Sequence, residues 1–290
     1  MAVFEKSGHK IVHGDVLEVL DSLIPDNSID LIFADPPYNI GKNFNGGKDK
    51  WDNDEAYLAW CYKWLDQCIV KLKPNGSLYV MTATQFMPYF DIYLGKRLTI
   101  LSRIIWSYDS SGVQARKYYG SLYEPILFCV KDTKNYTFNV QDILVPAKTG
   151  ADRKLIDYRK QIPTPYNTLK VPGNVWNFPR VRYRMDEYED HPSQKPIALL
   201  ERVIKASSNI GDTILDPFSG TFTTSYVAQQ LGRNSTGIEI SEEYIKIGLR
   251  RLGISNVYNG TILQMPVKSY TRRRGKRQHE ETTKQEDLGL

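Results

Sequence analysis

A short apolar run, Asp30-Leu31-Ile32-Phe33-Ala34, stops at Asp35-Pro36-Pro37-Tyr38, and this junction constrains the fold more than any other stretch. The run has the length of a buried strand and ends in a small residue. An acid, two rigid prolines and an aromatic ring therefore stand just past a strand's carboxyl end. That edge is where open α/β sheets bind ligands. The prolines fix φ and remove two backbone donors. What remains is carbonyl and carboxylate acceptors beside a flat ring, a fit for a planar molecule carrying an NH2 group. Taken alone, the four residues fit a solvated Pro-Pro loop with a packing tyrosine better, so the rest of the chain must decide.

Around the junction the chain alternates between two hydrophobic periods. Lys10-Ile11-Val12-His13-Gly14-Asp15 reads as a strand entering a turn, and residues 16–23 as a short amphipathic helix. Behind Asp54, an expected N-cap, Tyr57, Cys61, Trp64, Cys68 and Leu72 recur every three or four residues, a core-facing helix. Further strands are expected over 77–81, 98–108, 123–130, 213–215 and 235–240. Helices are expected over 85–94, 197–207, from the loop after 216 to about 231, and behind Ser241 as a cap. Strands alternating with helices imply an α/β fold, a mostly parallel doubly wound sheet with helices on both faces.

Two stretches break the alternation. Residues 39–52 are polar and glycine-bearing, with Phe44 and Trp51 embedded, and read as a mobile loop over the site. Residues 131–185 gather prolines and carry eleven Lys/Arg against four Asp, a net +7 that exceeds the +5 of the whole chain. Tyr136, Phe138, Tyr158, Tyr166, Trp176, Phe178 and Tyr183 lie among these cations. Basic residues interleaved with aromatics suit phosphate contact and base stacking. Arg180, Arg182 and Arg184 would share one face at strand spacing.

The second half holds a different pattern. The strand 213–215 runs into Asp216-Pro217-Phe218-Ser219-Gly220-Thr221, a helix follows, and the next strand ends in Glu239. Loop amides facing a ligand, with an acid about twenty residues on for two ribose hydroxyls, are the pattern of a nucleoside-cofactor site. No G-x-G-x-x-G is present, which argues against a pyrophosphate cofactor. From about Val267 the chain looks disordered, with six cations and no acid over 268–277.

Other classes fall away. No apolar run reaches the length of a membrane span, and Met1-Ala2-Val3-Phe4-Glu5 does not begin a signal peptide, so a cytoplasmic protein is expected. Cys61, Cys68 and Cys129 have no metal-ligand spacing and no preceding proline. No metal site and no cytosine-C5 nucleophile are therefore expected.

Together, 35–38, His191-Pro192-Ser193-Gln194-Lys195-Pro196, 216–224 and Gly237-Ile238-Glu239-Ile240 resemble an amino-group DNA methyltransferase. The order, with the Asp-Pro-Pro-Tyr half first, resembles the β class of N6-adenine methyltransferases. Residues 32–44 and 106–114 are more similar still to the enterobacterial YhdJ-type orphan enzymes. The resemblance spans roughly residues 10–252. It implies the class I methyltransferase fold in permuted order, with S-adenosylmethionine as methyl donor and double-stranded DNA as substrate. Residues 1–130 would be the catalytic half, 131–185 an inserted target-recognition segment, 186–254 the cofactor half and 255–290 a C-terminal extension. A homodimer is plausible on the same ground.

The resemblance also implies roles. Asp35 and the Pro36 carbonyl would hold an adenine amine, and Tyr38 would stack on the extruded base. Asp15 would meet the cofactor adenine, Glu239 its ribose, and Lys195 its methionine carboxylate. Asp35, Asp216, Phe218 and Gly220 complete the cofactor set. Asn39, Lys42, Arg180, Arg182 and Arg184 are the expected DNA contacts. Phe222 stands where the family usually has glycine, so either its ring points away or the methionine pocket differs. Serine in place of Asp35 would indicate cytosine N4. A silent DNA-binding protein of the same fold is the remaining alternative.

Overall fold

The computed structural model describes residues 1–44, 47–109, 117–147 and 155–263. Nine strands form one sheet: β1 (Ala2–Lys6), β2 (His9–His13), β3 (Ile29–Ala34), β4 (Leu72–Met81), β5 (Thr99–Ser107), β6 (Tyr123–Val130), β7 (Val175–Asn177), β8 (Thr213–Asp216) and β9 (Asn234–Glu239). Their spatial order is β1-β2-β9-β8-β3-β4-β6-β5-β7. Strands β2, β9, β8, β3 and β4 run parallel. Strand β6 is antiparallel to both its neighbours, β4 and β5.

Alternating side chains divide the core between the two faces of the sheet. Ile32, Ala34, Leu78 and Val80 pack with α1 (Val16–Ser22), α2 (Asp54–Lys71) and α3 (Met87–Gly95). Leu31, Phe33, Tyr79 and Met81 pack with α4 (Ile197–Ser207) and α5 (Thr223–Gln230). Ile11 packs with α6 (Glu242–Arg251) on that second face.

The site follows from one pairing. β3 and β8 are neighbours in register, Leu31 opposite Ile214 and Ile32 opposite Leu215, although about 180 residues separate them. From β3 the chain winds through α2 to β4 on one side. From β8 it winds through α5 to β9 on the other. Such a reversal leaves a crevice beyond the carboxyl ends, between Asp35 and Asp216. Asp30 pins the opposite end of the same strands: it pairs with Lys73 Nζ at 2.7 Å and accepts from the Thr213 amide at 2.9 Å.

Several expectations need correction. The N-cap of α2 is Asn53, whose Oδ1 accepts from the Ala56 amide at 2.7 Å, and Asp54 is the first helical residue. Ser241 occupies the cap position of α6, but its side chain makes no capping bond. Arg180, Arg182 and Arg184 are not on a strand. The Met185 amide donates to the Arg182 carbonyl at 3.0 Å, and Arg184 has φ of 82°. A turn there breaks the strand spacing that would put the three side chains on one face. Strand β1, which no pattern in the sequence announces, pairs antiparallel with β2. Residues 131–185 are tied to the main body at both described ends: the Asn139 amide donates to the Ala206 carbonyl at 2.7 Å, and β7 extends the sheet beside β5. The expected disorder of the tail concerns residues outside those described, as do Ser110 to Gln114 of the similar stretch 106–114.

Candidate active site

A cavity of about 640 Å³ fills the crevice, within the range of small-molecule sites. Asp35, Pro36 and Tyr38 line it, with Asp15, Lys42, Arg180, Lys195, Asp216, Phe218, Gly220 and Glu239. The structure thus gathers eleven of the fourteen residues singled out above. Arg182 and Arg184 lie outside its lining, exposed to solvent. Asn39 is tied down beside the cavity: its Oδ1 accepts from the Trp51 amide at 2.9 Å and its Nδ2 donates to Asp54 at 3.0 Å.

One wall is a charged cluster. Lys195 Nζ lies 2.5 Å from Asp35 Oδ2 and 3.5 Å from Glu124 Oε2. The Tyr38 hydroxyl reaches Asp35 Oδ1 at 2.6 Å and Glu124 Oε2 at 3.1 Å. Burial pushes the Asp35 carboxyl above its usual range, although Lys195 pulls it back. Burial alone would lower the Lys195 ammonium, but the two carboxylates outweigh it and hold it above its ordinary value. The Tyr38 phenol is held well above its usual value, by burial first and then by the same carboxylates, so it stays a donor. Lys195, expected at a methionine carboxylate, here neutralises Asp35.

The opposite wall is built from β8, β9 and their loops. The Glu239 carboxylate accepts from three amides: Gly220 at 2.8 Å, Ile240 at 3.0 Å and Ser241 at 2.8 Å. Burial still pushes it up to about 7, because those bonds only partly offset the lost hydration. Burial likewise pushes Asp216 up to about 7, against bonds from Thr224 Oγ1 and the Phe218 amide. Asp15 caps α1, accepting from the Leu17 amide at 2.8 Å, and so sits at a fixed place on the rim.

His191 closes the floor. Its ring stacks edge-on against Tyr244 at 4.5 Å and faces Phe44 at 5.7 Å. Burial, with the Lys195 and Lys42 charges, lowers it to about 3, so it is neutral. Nδ1 accepts from the Ser193 amide at 3.1 Å. Gly220, at φ of +49°, comes so near that an added Cβ would lie 3.0 Å from His191 Nε2. This close backbone approach is what glycine permits there.

The loop after Tyr38 covers the cavity, but it is pinned rather than loose in its described part. Asp49 is buried, and its carboxylate accepts from the Tyr38 amide at 3.2 Å and from the Lys42 amide. Trp51 packs on Trp60 and Tyr57 at 4.9 and 5.0 Å. Lys42 Nζ donates to the Pro192 carbonyl at 2.9 Å, joining the loop to the His191 segment.

Phe222 resolves plainly. It adopts the left-handed conformation, φ 58° and ψ 34°, and its ring is fully buried. The ring packs with Ile11, Ile245 and Leu249, away from the cavity. An added Cβ at Gly237 would meet it at 2.7 Å, and one at Gly248 closer still. The backbone shape that favours glycine is thus kept, and two other glycines make room for the ring.

Sequence reading missed Glu124 and Tyr108. Strand β6 runs against the parallel strands, so its amino end, not its carboxyl end, reaches the cavity edge. A rule that looks past carboxyl ends overlooks it. Tyr108 lines the cavity with the Arg180 guanidinium 4.9 Å from its ring centroid.

A doubly wound sheet with one antiparallel strand between β4 and β5, and a cavity at its switch point, is the class I S-adenosylmethionine-dependent methyltransferase architecture. Solved structures share it: an M1.HpyAVI–SAM complex at TM-score 0.58 and 24% identity, covering 83% of this chain and 98% of that one. The cytosine-N4-specific PvuII DNA methyltransferase aligns at TM-score 0.65 and 20% identity, covering 87% and 89%. The chain belongs to the N6/N4 DNA methylase family, whose model matches residues 29–250. It is 57% identical to the DNA adenine methyltransferase YhdJ of Escherichia coli K12, over 94% of this chain and 92% of that protein. It is 36% identical to the type II methyltransferase M.HpaI of Haemophilus parainfluenzae, over 87% and 76%.

Proposed function

We propose that the protein transfers a methyl group from S-adenosylmethionine to the N6 of an adenine extruded from duplex DNA. The observation that carries this is the Asp35 carboxylate, placed by β3 at the cavity wall and oriented by Lys195 and Tyr38. Bound S-adenosylmethionine supplies an electrophilic methyl on sulfur. The cavity fits that group: Glu239 offers acceptors for ribose hydroxyls, Phe218 an apolar face and Gly220 a close backbone. The adenine amine is a poor nucleophile because its lone pair is delocalised. Asp35 and the Pro36 carbonyl accept its two hydrogens and turn the lone pair toward the methyl. Tyr38 supplies a ring for the extruded base. Extrusion costs a few kcal/mol, which stacking and these bonds offset. Positioning at roughly 3–3.5 Å then does most of the catalytic work.

Expression in a host without adenine methylation, followed by single-molecule sequencing, reads the modified base and its motif together. Methylated adenine is the expected result. Methylated cytosine N4, or no modified base, would overturn it. The same proposal places the protein in the cytoplasm, on the nucleoid when bound, and as a homodimer that sedimentation would detect. Among the described residues no helix is long and apolar enough to cross a membrane.

Glu239 gives a pH prediction. Its folded pKa, about 7, lies above the usual 4.5, so the carboxyl is protonated through much of that window and its stability contribution is lost as pH rises through it. Ribose hydroxyls donate to the ionised form. Cofactor affinity should therefore weaken below pH 7, by up to about tenfold per unit, with proton release on binding near neutrality. Calorimetry in two buffers of different ionisation heat measures both. Residues 131–185 are proposed as the target-recognition segment. Arg182→Ala and Arg184→Ala should each lower the salt slope of DNA binding by about one, whereas Arg180, at the cavity, should act on the extruded base. An unchanged slope in the double variant would remove them from the interface.

A further inference from the structure

The cavity holds a carboxylate that the reaction above leaves unused. Glu124 and Asp35 are bridged twice, by the Tyr38 hydroxyl at 3.1 and 2.6 Å and by the Lys195 ammonium at 3.5 and 2.5 Å. Their side chains are only 16% and 17% exposed. A tyrosine hydroxyl has one proton and can donate to one carboxylate at a time. Two carboxylates and one ammonium leave one net negative charge and room for one proton.

That vacancy matches the reaction, on whose assignment this inference rests. The adenine N6 forms the new N–C bond while the C–S bonding pair stays on sulfur, which becomes a neutral thioether. The amine is then cationic and sheds one hydrogen as a proton. We propose that Glu124 is the second carboxylate of the reaction: bridged to Asp35 by Tyr38 and Lys195, it leaves the cluster one net negative charge that balances the sulfonium before transfer and lets Asp35 take up the amine's proton after it. Asp35 touches the amine. Glu124 acts through Tyr38 and Lys195 and is a positioning residue. The other groups facing it are the Tyr108 phenol, which also bonds Glu124, and the Lys42 and Arg180 cations. Lys42 donates to the Pro192 carbonyl and Arg180 covers the Tyr108 ring, so both keep their charge and offset that of the bridged set from outside it.

The sign of the effect is fixed. The Glu124 charge raises the Asp35 carboxyl, so its removal lets Lys195 hold Asp35 ionised more firmly and makes it a weaker base. Glu124→Gln should lower the single-turnover rate on duplex DNA roughly 10–100-fold and move the acid limb of the pH profile to lower pH. It should also reduce, by roughly threefold to tenfold, the preference for S-adenosylmethionine over the uncharged S-adenosylhomocysteine in calorimetric titration. Glu124→Asp should restore the limb and part of the rate. Tyr38→Phe keeps the ring, removes the bridge, and should slow transfer by a similar factor, with the double variant no worse than either single one. An unmoved acid limb together with an unchanged binding preference in Glu124→Gln would overturn the inference while leaving adenine methylation standing. If the glutamine variant does not fold, a wild-type rate in Tyr38→Phe overturns it. Wild-type enzyme that methylates no adenine would overturn the functional reading, and this inference with it.

Discussion

Asp35→Ala is expected to lower single-turnover methylation by a factor on the order of 10³ while the protein stays folded and still binds cofactor. The loss follows from chemistry: no carboxylate is left in contact with the amine to take its proton, and the Pro36 carbonyl alone cannot orient both hydrogens. Persistence of the fold follows from geometry. Lys195 would not become an orphaned buried cation, because Glu124 lies 3.5 Å away and the Ser193 carbonyl 3.3 Å away. Asp35→Asn should be nearly as inactive, since its NH2 would face the amine's own hydrogens. Single-turnover rates, circular dichroism and cofactor titration read the three parts separately. Wild-type-like turnover in the alanine variant would remove Asp35 from the mechanism.

The second large effect is on stability. Phe222→Ala should cost about 3–5 kcal/mol, because a fully buried ring is deleted between two helices and a sheet that cannot close over the space. Phe222→Gly deletes the same ring but relaxes the left-handed backbone, a conformation costing roughly 1–2 kcal/mol in a residue with a Cβ. The glycine variant should therefore be about 1 kcal/mol more stable than the alanine variant, the reverse of the usual helix-region order. Gly248→Ala should destabilise the wild type through contact with the ring, and much less in the Phe222→Ala background. Urea unfolding of the four proteins measures the cycle. Additive losses would show that ring and glycine do not share the space.

Much of the architecture was legible because hydrophobic period reports local structure directly. Helix α4 and strand β6 fall where the pattern placed them, over 197–207 and 123–130. Helix caps were less legible, since Asn53 and Asp54 are both good caps and only the backbone at Asn53 is extended. Alternation of the three arginines suggests a strand, but a turn at 182–185 overrides it.

The sequence by itself determined the chemistry of each wall: Asp35 with its two prolines on one, Phe218, Gly220 and Glu239 on the other. Each is a local statement about a strand end and the loop behind it. Only the tertiary structure decided how the walls meet. It set β8 beside β3 across some 180 residues, brought Lys195 to Asp35, and turned β6 so that Glu124 faces the same ammonium. It also sent the Phe222 ring into the core rather than the cavity. The physical reason is that periodicity records which side of an element is buried, not which distant element buries it. Ion pairs between strand ends leave no periodic trace, because they depend on topology and on the direction in which each strand runs.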